Sequence, residues 1–133
     1  MKKATTLALL ALCFAAQTAV AQCPGAWQSV PSGLSTELRA LHFPTAQDGW
    51  AVGAAGKIIR STDGGLTWGA AQTSGAAATL NGVHFVSAST GWAVGHRGII
   101  LKTGNGGGTW TPQTSNTETD LFDVWFTNAQ NGW

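Results

Sequence analysis

Few side chains in this chain could do chemistry, and most of them recur at a fixed interval. The 133 residues carry three histidines, six carboxylates and no tyrosine. His42 and His84 lie 42 positions apart, each followed by Phe, and Trp125 stands at the corresponding position further on. A metal or general-base site would need imidazole each time, whereas an indole only donates a hydrogen bond. The two histidines therefore read as packing groups. Asp63 meets the same objection as a catalytic carboxylate, because Asn105 takes its place one interval later and an amide does no acid–base work. Glu118, Asp120 and Asp123 form a small acidic cluster. They lack the Asp-x-Asp-x-Asp-Gly spacing of a calcium loop and read as a solvated acidic loop. The glycine-rich run Gly104–Gly108 is not followed by the Lys-Ser or Lys-Thr of a phosphate-binding loop. What remains is the pair His96 and Arg97, where the earlier copy has Ala54 and Ala55. Within a repeated frame, positions needed for folding recur and positions free to serve a partner differ. Loops at such places carry function, so His96 and Arg97 are the candidate partner-binding hairpin tip; the plainer alternative is a solvated turn.

These residues are positioned by an internal repeat. The stretch Gly49–Trp68, GWAVGAAGKIIRSTDGGLTW, returns as Gly91–Trp110, GWAVGHRGIILKTGNGGGTW. Extended upstream, Leu38–Trp68 and Leu80–Trp110 align without a gap and share 15 of 31 residues. A third start, LFDVWFTNAQNGW from Leu121, matches LNGVHFVSASTGW at 6 of 13 positions. Periods of about 40 to 45 residues built from short strands and glycine turns signify propeller blades or similar arrays.

Each unit opens with Leu-x-x-(Leu/Val)-x-Phe, seen as Leu38, Leu41, Phe43, as Leu80, Val83, Phe85, and as Leu121, Val124, Phe126. The extra residue before the alternating pair predicts a bulge near the start of the strand. Trp-Ala-Val-Gly follows, apolar in both directions, as in a strand buried on two faces. A short connection ending in Gly56 or Gly98 predicts a hairpin with a left-handed residue. The branched strands Lys57–Ser61 and Ile99–Thr103 come next. A second hairpin follows, with Trp68 or Trp110 expected to start the last strand. Six of the seven tryptophans occupy repeat positions, Trp50, Trp92 and Trp133 opening the second strand and Trp27, Trp68 and Trp110 closing the unit, and are expected in the core, since a buried indole removes about 150–250 Å² from water.

Met1-Lys2-Lys3, the apolar run Leu7–Ala16 and the small-x-small Ala19-Val20-Ala21 together read as a signal peptide over residues 1–21, with cleavage before Gln22. The apolar run is too short for the ~20 residues of a membrane span, so no stable span is expected after cleavage. Residues 22–133 then carry five basic against six acidic side chains. That balance offers no basic field for nucleic acid. Cys23 is left without a partner cysteine. No cofactor or metal is indicated. The expected divisions are 27–37, an orphan N-terminal strand region around Trp27, then repeats at 38–79 and 80–120 and a truncated third at 121–133. At this period the segment makes fewer than the four to eight blades that close a propeller. The expectation is thus an incomplete all-β propeller, the N-terminal fragment of about six to eight blades.

Ser61, Asp63, Gly65, Thr67 and Trp68 spell the Ser-x-Asp-x-Gly-x-Thr-Trp pattern of an Asp box, and Thr103, Asn105, Gly107, Thr109 and Trp110 spell it again with Asn in the acidic place. Joined to the upstream Gly-Trp-Ala-Val-Gly-x-x-Gly, the unit resembles the bacterial-neuraminidase-type repeat of the photosystem II assembly and stability factor family. The resemblance covers about Trp27 to Trp133. It implies a non-catalytic scaffold for protein interaction or assembly, with a protein or peptide partner, and the leader adds the expectation of export to the periplasm, cell surface or medium. The alternative is the N-terminal part of an Asp-box glycoside hydrolase, sialidase-like or acting on glucans, with a carbohydrate ligand. A sialidase would need a tyrosine nucleophile and clustered arginines, and this chain has no Tyr and three scattered Arg.

Overall fold

Each repeat folds into one antiparallel sheet, because its apolar residues come in runs too short for a helix and are bounded by Gly, Asp and Ser. The computed structural model describes residues 29–70 and 72–133. The expected signal peptide, Cys23 and Trp27 lie outside them. The first sheet comprises β1 (Leu38–His42), β2 (Gly49–Gly53), β3 (Lys57–Ser61) and β4 (Gln72–Thr73), in that order. The second comprises β5 (Leu80–Phe85), β6 (Gly91–Gly95), β7 (Ile100–Thr103) and β8 (Thr111–Gln113), again in order. The third unit begins the same pattern: Phe126 bridges Gly132, and Trp125 and Trp133 exchange both backbone bonds at 2.9 Å. These are all-β propeller blades in series. Contact between the two sheets is concentrated on β1, β2 and β5, so the blades converge at their first strands and fan outward.

Register repeats along with sequence. His42 faces Trp50 and Trp50 faces Arg60 in the first sheet; His84 faces Trp92 and Trp92 faces Lys102 in the second. The expected bulge falls between Leu38 and Ala40, and again between Leu80 and Gly82. Both Gly-Trp-Ala-Val-Gly strands are buried along their whole length.

The core is the seam between blades. Trp50, Val52 and Ile58 of the first sheet meet Leu80, Val83, Phe85, Ala93 and Leu101 of the second. At its centre Trp50 stacks on Phe85, centroids 3.9 Å apart and planes at 17°. One repeat later Trp92 stacks on Phe126 at 3.7 Å and 7°. The opposite indole face meets a cation of the same sheet, Arg60 over Trp50 at 4.9 Å and Lys102 over Trp92 at 5.2 Å. Burying one such indole is worth about 4–6 kcal/mol gross. The glycine preceding each Trp follows from the same geometry: a Cβ on Gly49, Gly91 or Gly132 would sit inside the ring of Phe43, Phe85 or Phe126.

Two expectations are corrected. Trp68 and Trp110 do not begin the last strands, which start at Gln72 and Thr111; instead they pack edge-on against Phe43 and Phe85, with centroids 5.9 Å apart in each pair. Nor is every repeat-position tryptophan core. Trp50 and Trp92 are buried, Trp68 and Trp110 half-buried, and Trp133 is 75% exposed. Burial of this indole requires the Phe strand of a following blade, and among the described residues none follows Trp133. Residues 29–37 contain no strand.

Replacing Gly91 by Ala should destabilise the protein by about 1–3 kcal/mol, the usual cost of overpacking a rigid core. Gly104→Ala, where an added Cβ meets nothing within 4 Å, should change stability by less than about 0.5 kcal/mol. Urea unfolding of both variants checks the pair.

Candidate functional site

Three sets of polar groups survive folding as candidates: the Asp-box turns, the β6–β7 hairpin tip and the histidines of β1 and β5. The turns are closed circuits. Ser61 donates its hydroxyl to Asp63 Oδ1 at 2.8 Å and accepts the Gly65 N–H at 2.8 Å. Asp63 Oδ1 accepts the Thr67 N–H at 2.9 Å, and Oδ2 accepts the Thr67 hydroxyl. Gly65 holds φ +88°, a region that favours glycine. In the second turn Thr103 donates to Asn105 Oδ1 at 3.0 Å and accepts from Gly107 N at 2.9 Å. Asn105 Oδ1 accepts from Thr109 N at 2.9 Å, and its amide donates to the Thr109 hydroxyl at 3.0 Å. Asn thus reverses one bond and keeps the circuit. Thr67, through its hydroxyl and then its N–H, together with Ser61, lowers the Asp63 pKa from 3.8 to about 2. Such a carboxylate is a turn acceptor, not a proton donor. The second turn is also docked on the first blade, since Gly106 O accepts the Trp50 indole N–H at 3.2 Å.

The tip is built differently. His96–Gly98 forms a 3-10 turn in which Arg97 has φ 56° and ψ 35°. Ala55, at the same place in the first blade, has φ 54° and ψ 33°. The backbone therefore dictates this left-handed position whichever side chain occupies it, at a cost of order 1 kcal/mol for a non-glycine residue. In the second blade Asp120 offsets that cost. Its Oδ1 accepts the Arg97 N–H at 2.9 Å, and its Oδ2 lies 3.8 Å from His96 Nε2. Thr79 stands where Asp120 does, one unit earlier. The Arg97 side chain is exposed and makes no hydrogen bond or ion pair among the described residues. The sequence pointed to His96 and Arg97; Asp120, counted only as part of an acidic loop, is what holds them.

His42 and His84 line the converging strands, with ring centroids 4.4 Å apart. His42 Nδ1 accepts the Phe85 N–H at 3.2 Å, and His84 Nδ1 accepts the Phe126 N–H at 3.3 Å. Their packing role was legible; the bonds were not. No group of three or more His, Cys, Asp or Glu among the described residues could hold a metal ion, and no described helix is long and apolar enough to cross a membrane.

Residues 19–118 match the family model described as photosynthesis system II assembly factor YCF48. The chain belongs to the YCF48 family. A solved YCF48 bound to a D1 peptide is 22% identical, with a TM-score of 0.69 over 80% of this chain and 36% of its own. YCF48 from Cyanidioschyzon merolae is 24% identical, with a TM-score of 0.60 over 68% of this chain and 30% of its own. These likenesses establish the fold; the chain spans about a third of either relative's length. No curated protein matches.

The Asp63 turn carries a pH dependence. Its stabilisation is complete above the unfolded value near 3.8 and is lost as pH falls through that value toward about 2. Asp63→Asn should flatten this acid limb while keeping the fold, as Asn105 does in the second blade, and an unfolding series at falling pH measures it.

Proposed function

We propose that this chain is an exported, non-catalytic propeller module that binds a protein or peptide, with Arg97 on the β6–β7 tip as one of its contacts. The observation that carries the reading is the tip itself: an exposed guanidinium without a partner among the described residues, standing on a backbone pinned by Asp120. A rigid support reduces the ordering cost of a contact, and arginine offers a planar, bidentate grip on carboxylates. Family membership supports an interaction role, and a solved relative holds a D1 peptide. The absence of catalysis rests on the use of Asp63 and Asn105 as turn acceptors. Export rests on the Met1–Ala21 leader.

Fluorescence anisotropy with a labelled D1 peptide and with acidic and neutral peptides of equal length tests the reading. Binding should favour acidic peptides, and Arg97→Ala should weaken it about tenfold, the loss expected of one charge-assisted bond, with no change in unfolding midpoint. Unchanged affinity in Arg97→Ala removes the tip from the site, and no binding to any peptide removes the interaction role. Mass spectrometry of the expressed protein should find its N-terminus at Gln22.

A further inference from the structure

The two histidines do more than fill space. β1 and β5 belong to different sheets and share no strand ladder, yet His42 on β1 accepts the backbone N–H of Phe85 on β5. His84 on β5 accepts the N–H of Phe126 in the third unit in the same way. Each bond lands on the phenylalanine whose ring stacks on the tryptophan of the preceding blade. The imidazole therefore fixes the backbone of the residue that closes the seam.

We propose that His42 and His84 form a pH-responsive latch between successive blades: neutral, each Nδ1 holds the next blade's first strand, and protonation releases it. An imidazole that accepts at Nδ1 carries its single proton on Nε2. Protonating Nδ1 turns the acceptor into a donor aimed at another donor, so the bond to Phe85 or Phe126 is lost. It also places two positive rings 4.4 Å apart. Among the described residues, the titratable groups acting on the pair are each other and Asp123 of the third unit, and Arg60 and Lys102 stand beyond Trp50 and Trp92 in the same cross-strand rows. In the strand ladders His42 stands opposite Trp50 and His84 opposite Trp92, and the His84 ring lies 4.3 Å from that of Trp125. Burial is the main cause holding both histidines below 6.5; His84 pushes His42 further down, and Asp123 partly restores His84. The sign follows. With the folded values below the unfolded one, the latch stabilises fully above about 6.5 and weakens as pH falls below it. Trp125, at the same place in the third unit, cannot serve in this way, because an indole N–H does not accept an amide proton.

The test uses the full chain. In ¹⁵N NMR, both histidines should show unprotonated Nδ1 at neutral pH and titrate below 6.5. The Phe85 and Phe126 amide signals should move in step with His42 and His84 respectively, and their hydrogen exchange should accelerate over the same interval. The unfolding constant in urea should rise as pH drops from about 7 to about 5, by up to tenfold per pH unit for each proton taken up. The doubly substituted protein, H42Q with H84Q, should lose most of that dependence. The proposal is overturned if the two amides do not respond to the titration, if either histidine titrates at or above its ordinary value, or if the double substitution leaves the pH dependence intact. Where the double variant fails to fold, the NMR titration of the unaltered protein decides alone.

Discussion

An indole laid flat on a phenyl ring across the gap between two sheets is the contact on which the rest of this structure depends. A four-stranded sheet of this sequence cannot bury both faces of Trp-Ala-Val by itself. The next sheet must come close enough for Phe85 to cover Trp50 and for Phe126 to cover Trp92. That closeness accounts for the glycine before each Trp, which leaves room for its own sheet's phenyl ring, and for the cation that shields the other indole face. The polar contacts across the seam serve it too. Trp50 donates to the second Asp-box turn, and the histidines hold the backbone of the stacking phenylalanines.

Rigid corners leave the rims free. Each Asp-box turn satisfies its own backbone donors with a hydroxyl and a carboxyl or amide oxygen a few residues away, so its shape depends little on what surrounds it. The β2–β3 and β6–β7 tips likewise share one backbone conformation with entirely different side chains. A propeller blade of this kind separates the residues that make the fold from those that can be altered for a partner. Family membership fixes the architecture, while the side chains at the tips differ from blade to blade.

Much was legible in the residues alone because it is local and occurs more than once. Alternation of apolar positions, the extra residue before Phe43 and Phe85, the two-faced burial of Trp-Ala-Val and the turn chemistry of Ser61–Trp68 all act over a few residues. The second copy confirms each reading within the same chain. The candidate tip was legible for the opposite reason, since it is where the copies disagree.

Three-dimensional packing decided what depends on how one sheet faces the next. How deeply a tryptophan is buried is such a question: Trp50 lies flat on Phe85 and is fully buried, whereas Trp68 and Trp110 meet Phe43 and Phe85 edge-on and are half-buried. The Trp50–Gly106 bond spans 56 residues, the His42–Phe85 bond 43 and the Asp120–Arg97 bond 23. Sequence periodicity determines the shape of each blade because strand and turn propensities act between near neighbours. It is silent about which donor meets which acceptor across the seam, because that depends on the distance and angle between blades, set only when the aromatic rings have packed.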